Sequence, residues 1–251
     1  MPILGAVGCG GKFAVLLLTC SAWAACGNAH ADEIGGSLGF VSDYVFRGVS
    51  QTRGEPAVQG SLYWRRQDDW IAGVWGSTMN PNRGPGRTQE YNAFVGTGWR
   101  LDPDWQTKLL AVHYFFPNNP RHRDWDYDEL IGSLAYRDNL IATIGWAPNA
   151  SAVANGALLE ELSYLTYEIS GRLPLWRRFS AGASAGYGET DDIAASGYRF
   201  WSLGLSYDAA SWQLGLNRFS TSSDARRIYG ETSTGNRWAV NLQWRFSRKL
   251  Q

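Results

Sequence analysis

Apolar and polar positions alternate along this chain in segments of about ten residues, the period and length of a tilted strand that crosses a bilayer. The last segment, 236–246, sets Trp238, Val240, Leu242, Trp244 and Phe246 against Arg237, Ala239, Asn241, Gln243 and Arg245. The first, 36–49, sets Leu38, Phe40, Tyr44 and Phe46 against Gly39, Asp43 and Arg47. Between them the same rhythm predicts strands over 57–66, 70–80, 90–101, 105–116, 127–137, 140–147, 159–173, 177–188, 198–207 and 212–219, twelve in all.

The connections alternate in length. Tight turns are expected at Gln67-Asp68-Asp69, Asp102-Pro103-Asp104, Asp138-Asn139, Pro174 and Asp208-Ala209-Ala210. Longer polar stretches are expected at 50–56, 81–87, 117–126, 148–158, 189–196 and 221–234. In an antiparallel sheet successive turns lie at opposite ends, so every long connection falls on one side. That is the asymmetry of an all-β antiparallel transmembrane β-barrel with short periplasmic turns and longer extracellular loops. Trp64, Trp70, Trp99, Trp105, Trp176, Trp212, Trp244 and Phe246 gather beside the short turns, and Tyr187, Tyr198, Phe219 and Trp238 near the long ones. Two aromatic girdles at the headgroup levels are therefore expected. A soluble barrel would bury the same alternating face inward, but its exterior would carry more charge at mid-strand than the Gly, Ser and Asn found here.

Residues 1–31 read as a secretory leader. Lys12 precedes an apolar core from Phe13 to Leu18, and Ala29-His30-Ala31 offers a small-x-small cleavage pattern, leaving 32–251 as the mature barrel. A lipoprotein reading through Cys26 is weaker, because Trp23 stands where such sites carry Leu. Cys9, Cys20 and Cys26 all lie in this leader, so neither a disulfide nor a cysteine metal site is expected in the mature chain. No apolar run beyond the leader approaches the ~20 residues of a spanning helix. A formal net charge of zero gives no basic patch for nucleic acid.

If the apolar faces meet lipid and lipopolysaccharide, the opposite faces line a lumen. Its candidate residues are Asp43, Arg47, Gln59, Asn92, Arg100, Glu129, Arg137, Glu168, Gln213, Asn217, Asn241, Gln243 and Arg245, together with Ser61, His113 and Ser202. Charges of both signs across a narrow barrel can select solutes, and they can also close it as a salt-bridged plug. Asp43 and Arg47, four apart, sit about 13 Å from each other on one strand face and must find partners on other strands.

Enzymatic chemistry has little to stand on. His113 is the one strand histidine, with no serine partner marked, and His122 lies among arginines. The acidic stretch Asp124, Asp126, Asp128, Glu129 lacks the central Gly and terminal Glu of a calcium loop, and it and Asp191-Asp192 read as solvated loops or as divalent-cation bridges to lipopolysaccharide phosphates. No cofactor is implied.

The run Ser42-Asp43-Tyr44-x-Phe46-Arg47-Gly48-x-Ser50-Gln51, with Pro56-Ala57-x-Gln59-Gly60 and Ala72-Gly73-x-Trp75-Gly76-Ser77, resembles the TorF family of porins, conserved hypothetical proteins of proteobacteria. The resemblance covers roughly residues 36–80. It implies an outer-membrane β-barrel with a leader that conducts small solutes, and it supplies no substrate. The expected function is a porin-like channel for passive diffusion of small hydrophilic solutes. The alternative is a non-conducting structural or adhesive barrel that binds partners through its loops.

Overall fold

The computed structural model describes residues 32–66, 70–80, 88–117, 125–154, 157–190 and 197–250. The expected leader 1–31, the expected turn at 67–69 and loop at 81–87, His122, Asp124 and Asp191-Asp192 lie outside the described residues.

Twelve long antiparallel strands close into a barrel. They are β1 (Glu33–Val41), β4 (Ala57–Arg66), β5 (Trp70–Met79), β6 (Thr88–Arg100), β7 (Trp105–Phe115), β8 (Tyr127–Tyr136), β9 (Leu140–Ala154), β10 (Ala157–Pro174), β11 (Phe179–Glu189), β12 (Tyr198–Asp208), β13 (Trp212–Thr221) and β14 (Arg237–Lys249). Each long strand pairs with its neighbours in sequence. The seam is closed by β1 on β14, with Glu33 opposite Lys249 and Val41 opposite Asn241. Closure leaves no open sheet edge, which a bilayer would not tolerate. The first and last described residues meet at one end, where the Leu250 N–H donates to the Asp32 carbonyl at 2.7 Å.

Alternation decides what each face meets. Leu38, Phe40, Val58, Leu62, Val74, Val95, Ile144, Ile169, Leu203 and Leu216 are exposed on the outer wall. Trp99, Trp105, Trp176 and Trp212 are exposed at the short-turn end, and Trp201 and Trp238 toward the other. Arg218, also outward, lies beside Trp201 and Trp238, its guanidinium carbon 6.0 and 5.6 Å from their ring centres. Two expected girdle members turn the other way: Tyr198 and Phe219 are buried inside. Both sit on the inner face, Tyr198 opposite Gly188 and Phe219 opposite Ser202 and Arg237.

Two segments differ from the alternation reading. Strand β1 stops at Val41 rather than Val49, and the chain turns into the barrel. There Val45–Phe46 (β2) and Val49–Ser50 (β3) form a two-stranded hairpin of their own. In the other segment, residues 148–154 and 157–158 belong to strands rather than to a loop. The β9–β10 ladder runs on to Ala154 and Ala157 as a long ribbon. Its register shifts where Pro148 and Asn149 stand opposite Ser163, a bulge that absorbs the proline's missing N–H. The last long connection carries a short helix, α1 (Asp224–Tyr229), and a 3-10 turn (Glu231–Ser233).

Candidate functional site in the barrel lumen

Residues 42–56 occupy the loop end of the lumen, and two tight turns shape them. Arg47 (φ 49°) and Gly48 (φ 79°) link β2 to β3, and Arg53 (φ 59°) and Gly54 (φ 82°) form the next reversal. Positive φ at both central residues is the signature of the turn that matches the twist of a two-residue hairpin. Gly48 is required for a second reason. A Cβ there would lie 2.7 Å from both Phe200 Cβ and Thr221 Cγ2.

Asp43 holds the segment's shape. One carboxylate oxygen accepts from the Ser50 hydroxyl at 2.5 Å, the Thr52 hydroxyl at 2.9 Å and the Gly54 N–H at 3.3 Å. The other accepts from Arg237 on β14 at 3.2 Å. The rest of the segment reaches the walls around it. Tyr44 packs on Trp75 of β5, and its hydroxyl donates to Glu90 of β6 at 3.2 Å. Val45 is buried against Phe219 and Ala239, and Val49 against Tyr198, Phe200, Ala225 and Ile228. At the hairpin tip the Arg47 guanidinium meets Glu129 of β8 at 2.5 Å. The second Glu129 oxygen accepts from Tyr114 at 2.9 Å. Gly145 of β9 makes room for this pair, since a Cβ there would sit 2.2 Å from Glu129 Oε1 and 3.0 Å from Arg47 Nη2.

This corrects the outward placement of Tyr44 and Phe46. Tyr44 is 2 % exposed, and the Phe46 ring faces Tyr114 inside. The reason is the early end of β1. Once the chain leaves the wall, strand parity no longer says which side chain meets lipid.

The other lumen candidates distribute unevenly. Gln59, Asn92, Glu129, Glu168, Gln213, Asn217, Asn241, Gln243 and Arg245 lie on the inner face by register. Gln59 donates to Ser77 at 3.4 Å, Asn92 to Glu90 at 3.0 Å and Asn217 to Asn241 at 3.0 Å. Ser61 and Ser202 face inward as well, bonded to Ser37 and Ser184. Arg100 has the inward parity but stands exposed at the turn rim, reaching the Pro103 carbonyl at 3.4 Å. Arg137 is not in the wall. It takes a turn position with φ 48° and forks onto Asp104 at 2.9 and 3.1 Å in the open. The hydrogen bond and charge of Arg137 hold the Asp104 carboxyl below its usual range.

His113 points outward, bonded to Asp128 at 2.9 Å, because Lys108, Leu110, Val112 and Tyr114 take the inner face of β7. Alternation also dissolves the acidic stretch, with Asp128 outside and Glu129 inside. Among the described residues no group of three or more His, Cys, Asp or Glu is arranged to hold a metal ion.

At the turn end the inner wall carries a second polar cluster. Asp208 of β12 accepts from Arg172 of β10 at 2.9 Å, Arg245 of β14 at 2.8 Å and Gln213 of β13 at 2.8 Å. Arg172 also donates to Ser180 at 2.8 Å. Nearby, Glu33 lies 3.9 Å from Arg65 and accepts from Tyr63 at 2.9 Å. The alternation of β10 and β12 carries a signal for Arg172 and Asp208, each the last charge of its strand on the polar face.

In sequence the chain matches the model of a family described as "Bacterial protein of unknown function (Gcw_chp)" over residues 25–246. No curated protein matches it. Among solved structures, an outer membrane channel from Pseudomonas putida F1 superposes with a TM-score of 0.58 at 10 % identity, covering 92 % of this chain and all of the other. The NanC porin gives 0.55 at 10 % identity, over 87 % of this chain and 100 % of that one. The KdgM porin gives 0.51 at 10 % identity, over 85 % and 99 %. At such identity the likeness is one of fold, that of porin-like outer-membrane barrels. The extent of the sequence match identifies the chain itself as a member of the Gcw_chp family.

Proposed function

We propose that this protein is an outer-membrane channel through which small hydrophilic solutes diffuse passively, with residues 42–56 as its constriction. The observation that carries this reading is the character of the inner wall. Below the loop-end rings of Tyr198, Phe200 and Phe219, its β10–β14 side is built mainly from Ser, Gly, Asn, Gln and Arg with Glu168 and Asp208, a surface that water and polar solutes can wet. The inner side of β5–β8 is packed with Ile71, Leu110, Val112 and Ile131. Whatever passes therefore moves along the polar side, past the inserted hairpin. The resemblance to TorF porins and the porin-like fold support the same reading. The short-turn end faces the periplasm, the loops face outward, and residues 1–31 are a leader removed near Ala31. The outer wall then meets lipid and lipopolysaccharide.

One observation favours a second reading, a non-conducting barrel. Tyr44, Tyr114 and Tyr198 are each nearly inaccessible at the loop end, and Tyr114 stacks on Tyr127 at 4.3 Å. In that reading residues 42–56 are a permanent plug. Planar-bilayer recording of the purified protein at high salt separates the two. Discrete conductance steps are expected, and a silent bilayer containing folded protein would leave only the plug.

A further inference from the structure

The charges inside the barrel are separated along its axis. Among the described residues, the loop end and middle hold Asp43, Glu90, Glu129 and Glu168 against Arg47 and Arg237. The acidic groups there are engaged within the barrel: Asp43 and Glu129 by arginines, Glu90 by Tyr44 and Asn92, and Glu168 by Ser184. On the inner wall toward the turn end the balance reverses. Glu33 and Asp208 face Arg65, Lys108, Arg172 and Arg245, with Arg100 and Asp138 at the rim. An overall charge of zero hides this separation.

The Arg172–Asp208–Arg245 cluster keeps one positive charge in excess, because a single carboxylate serves two guanidinium groups. Nε and Nη1 of Arg245 have no hydrogen-bond partner, on a side chain only 15 % exposed. The wall beside the cluster is low. Ser180, Gly182 and Ser184 on β11 face Ser206, Gly204 and Ser202 on β12, so no bulky side chain rises from these strand positions beside the arginines.

From this we infer that the turn end of the lumen is an anion site. Arg172 and Arg245 bind the carboxylate of a small organic acid, and Asp208 positions them. Planar guanidinium forks suit carboxylates in particular. This rests on the channel reading for its selectivity and on geometry alone for its binding, so the two can be tested apart.

The experiment pairs bilayer reversal potentials in a potassium chloride gradient with equilibrium dialysis of citrate against the detergent-solubilised full chain, glycerol serving as neutral control. The wild type should pass chloride in preference to potassium and bind citrate saturably at low salt. Arg245→Gln leaves Asp208 its Arg172 and Gln213 partners, and should reduce the anion-to-cation permeability ratio about threefold and weaken citrate binding. Asp208→Asn should move the ratio the opposite way, a pair of shifts that a purely structural cluster would not produce. Citrate binding without any current would retain the site and remove the channel. Current with no anion preference, unchanged by either variant and without citrate binding, would overturn the site and leave the channel standing.

Discussion

The guanidinium of Arg47 lies 2.5 Å from the carboxylate of Glu129, joining a hairpin tip that follows β1 to the opposite side of the barrel. Both side chains are buried, 8 % and 0 % exposed. Removing one partner leaves an uncompensated charge, so Arg47→Ala should lower unfolding stability by about 3–5 kcal/mol. Denaturant unfolding in detergent measures it. A loss below about 1 kcal/mol would mean that the pair is wet and worth no more than a surface bridge.

Gly145→Ala tests the same contact from the wall. The added methyl meets Glu129 Oε1 and Thr166 Oγ1 at 2.2 and 2.6 Å, and one of them must move. Destabilisation of about 1–3 kcal/mol is expected, as for other overpacked sites. In an Arg47→Ala background the added cost should shrink, because Glu129 is then free to swing away. Strict additivity in the double variant would argue that Gly145 does not act through the pair.

Gly48→Ala probes the hairpin itself. It combines a left-handed backbone, worth about 1–2 kcal/mol for a residue with a Cβ, with contacts of 2.7 Å to Phe200 and Thr221. The hairpin should withdraw while the twelve-stranded wall survives. Limited proteolysis should then cut between residues 47 and 54, and heat-modifiable migration on a gel should persist. Loss of heat modifiability together with the hairpin would show that the wall depends on it.

Alkaline pH should loosen the last long connection. Burial first, and the neighbouring Tyr164 second, push the phenol of Tyr229 well above its ordinary ~10. A folded value raised above the unfolded one stabilises fully below about pH 10 and is lost as pH rises through the folded value. Tyrosinate absorbance should therefore show a late-titrating fraction, reduced in Tyr229→Phe. An identical titration curve in that variant would contradict the docking of α1.

The wall was legible from periodicity because a strand with lipid on one side repeats every two residues, as Leu38 and Phe40 do on β1. The lumen was less so. Asp43 and Arg47 have inner partners, but through a hairpin that alternation reads as more strand. The missed signal is the repeated Arg-Gly of Arg47-Gly48 and Arg53-Gly54, each a reversal with positive φ at both residues. Arg137 went astray for a related reason. It ends a strand pattern, yet its positive φ puts it in the turn. The ion pairs Arg47–Glu129 and Asp43–Arg237 join residues far apart in sequence, a pairing that only barrel closure creates.

Single-channel conductance of the wild type beside Arg47→Ala tests the central claim most directly. If residues 42–56 constrict a channel, freeing the hairpin tip should give larger conductance steps at the same salt, with folded protein in both cases. Equal steps in the two proteins, or silence in both, would contradict it.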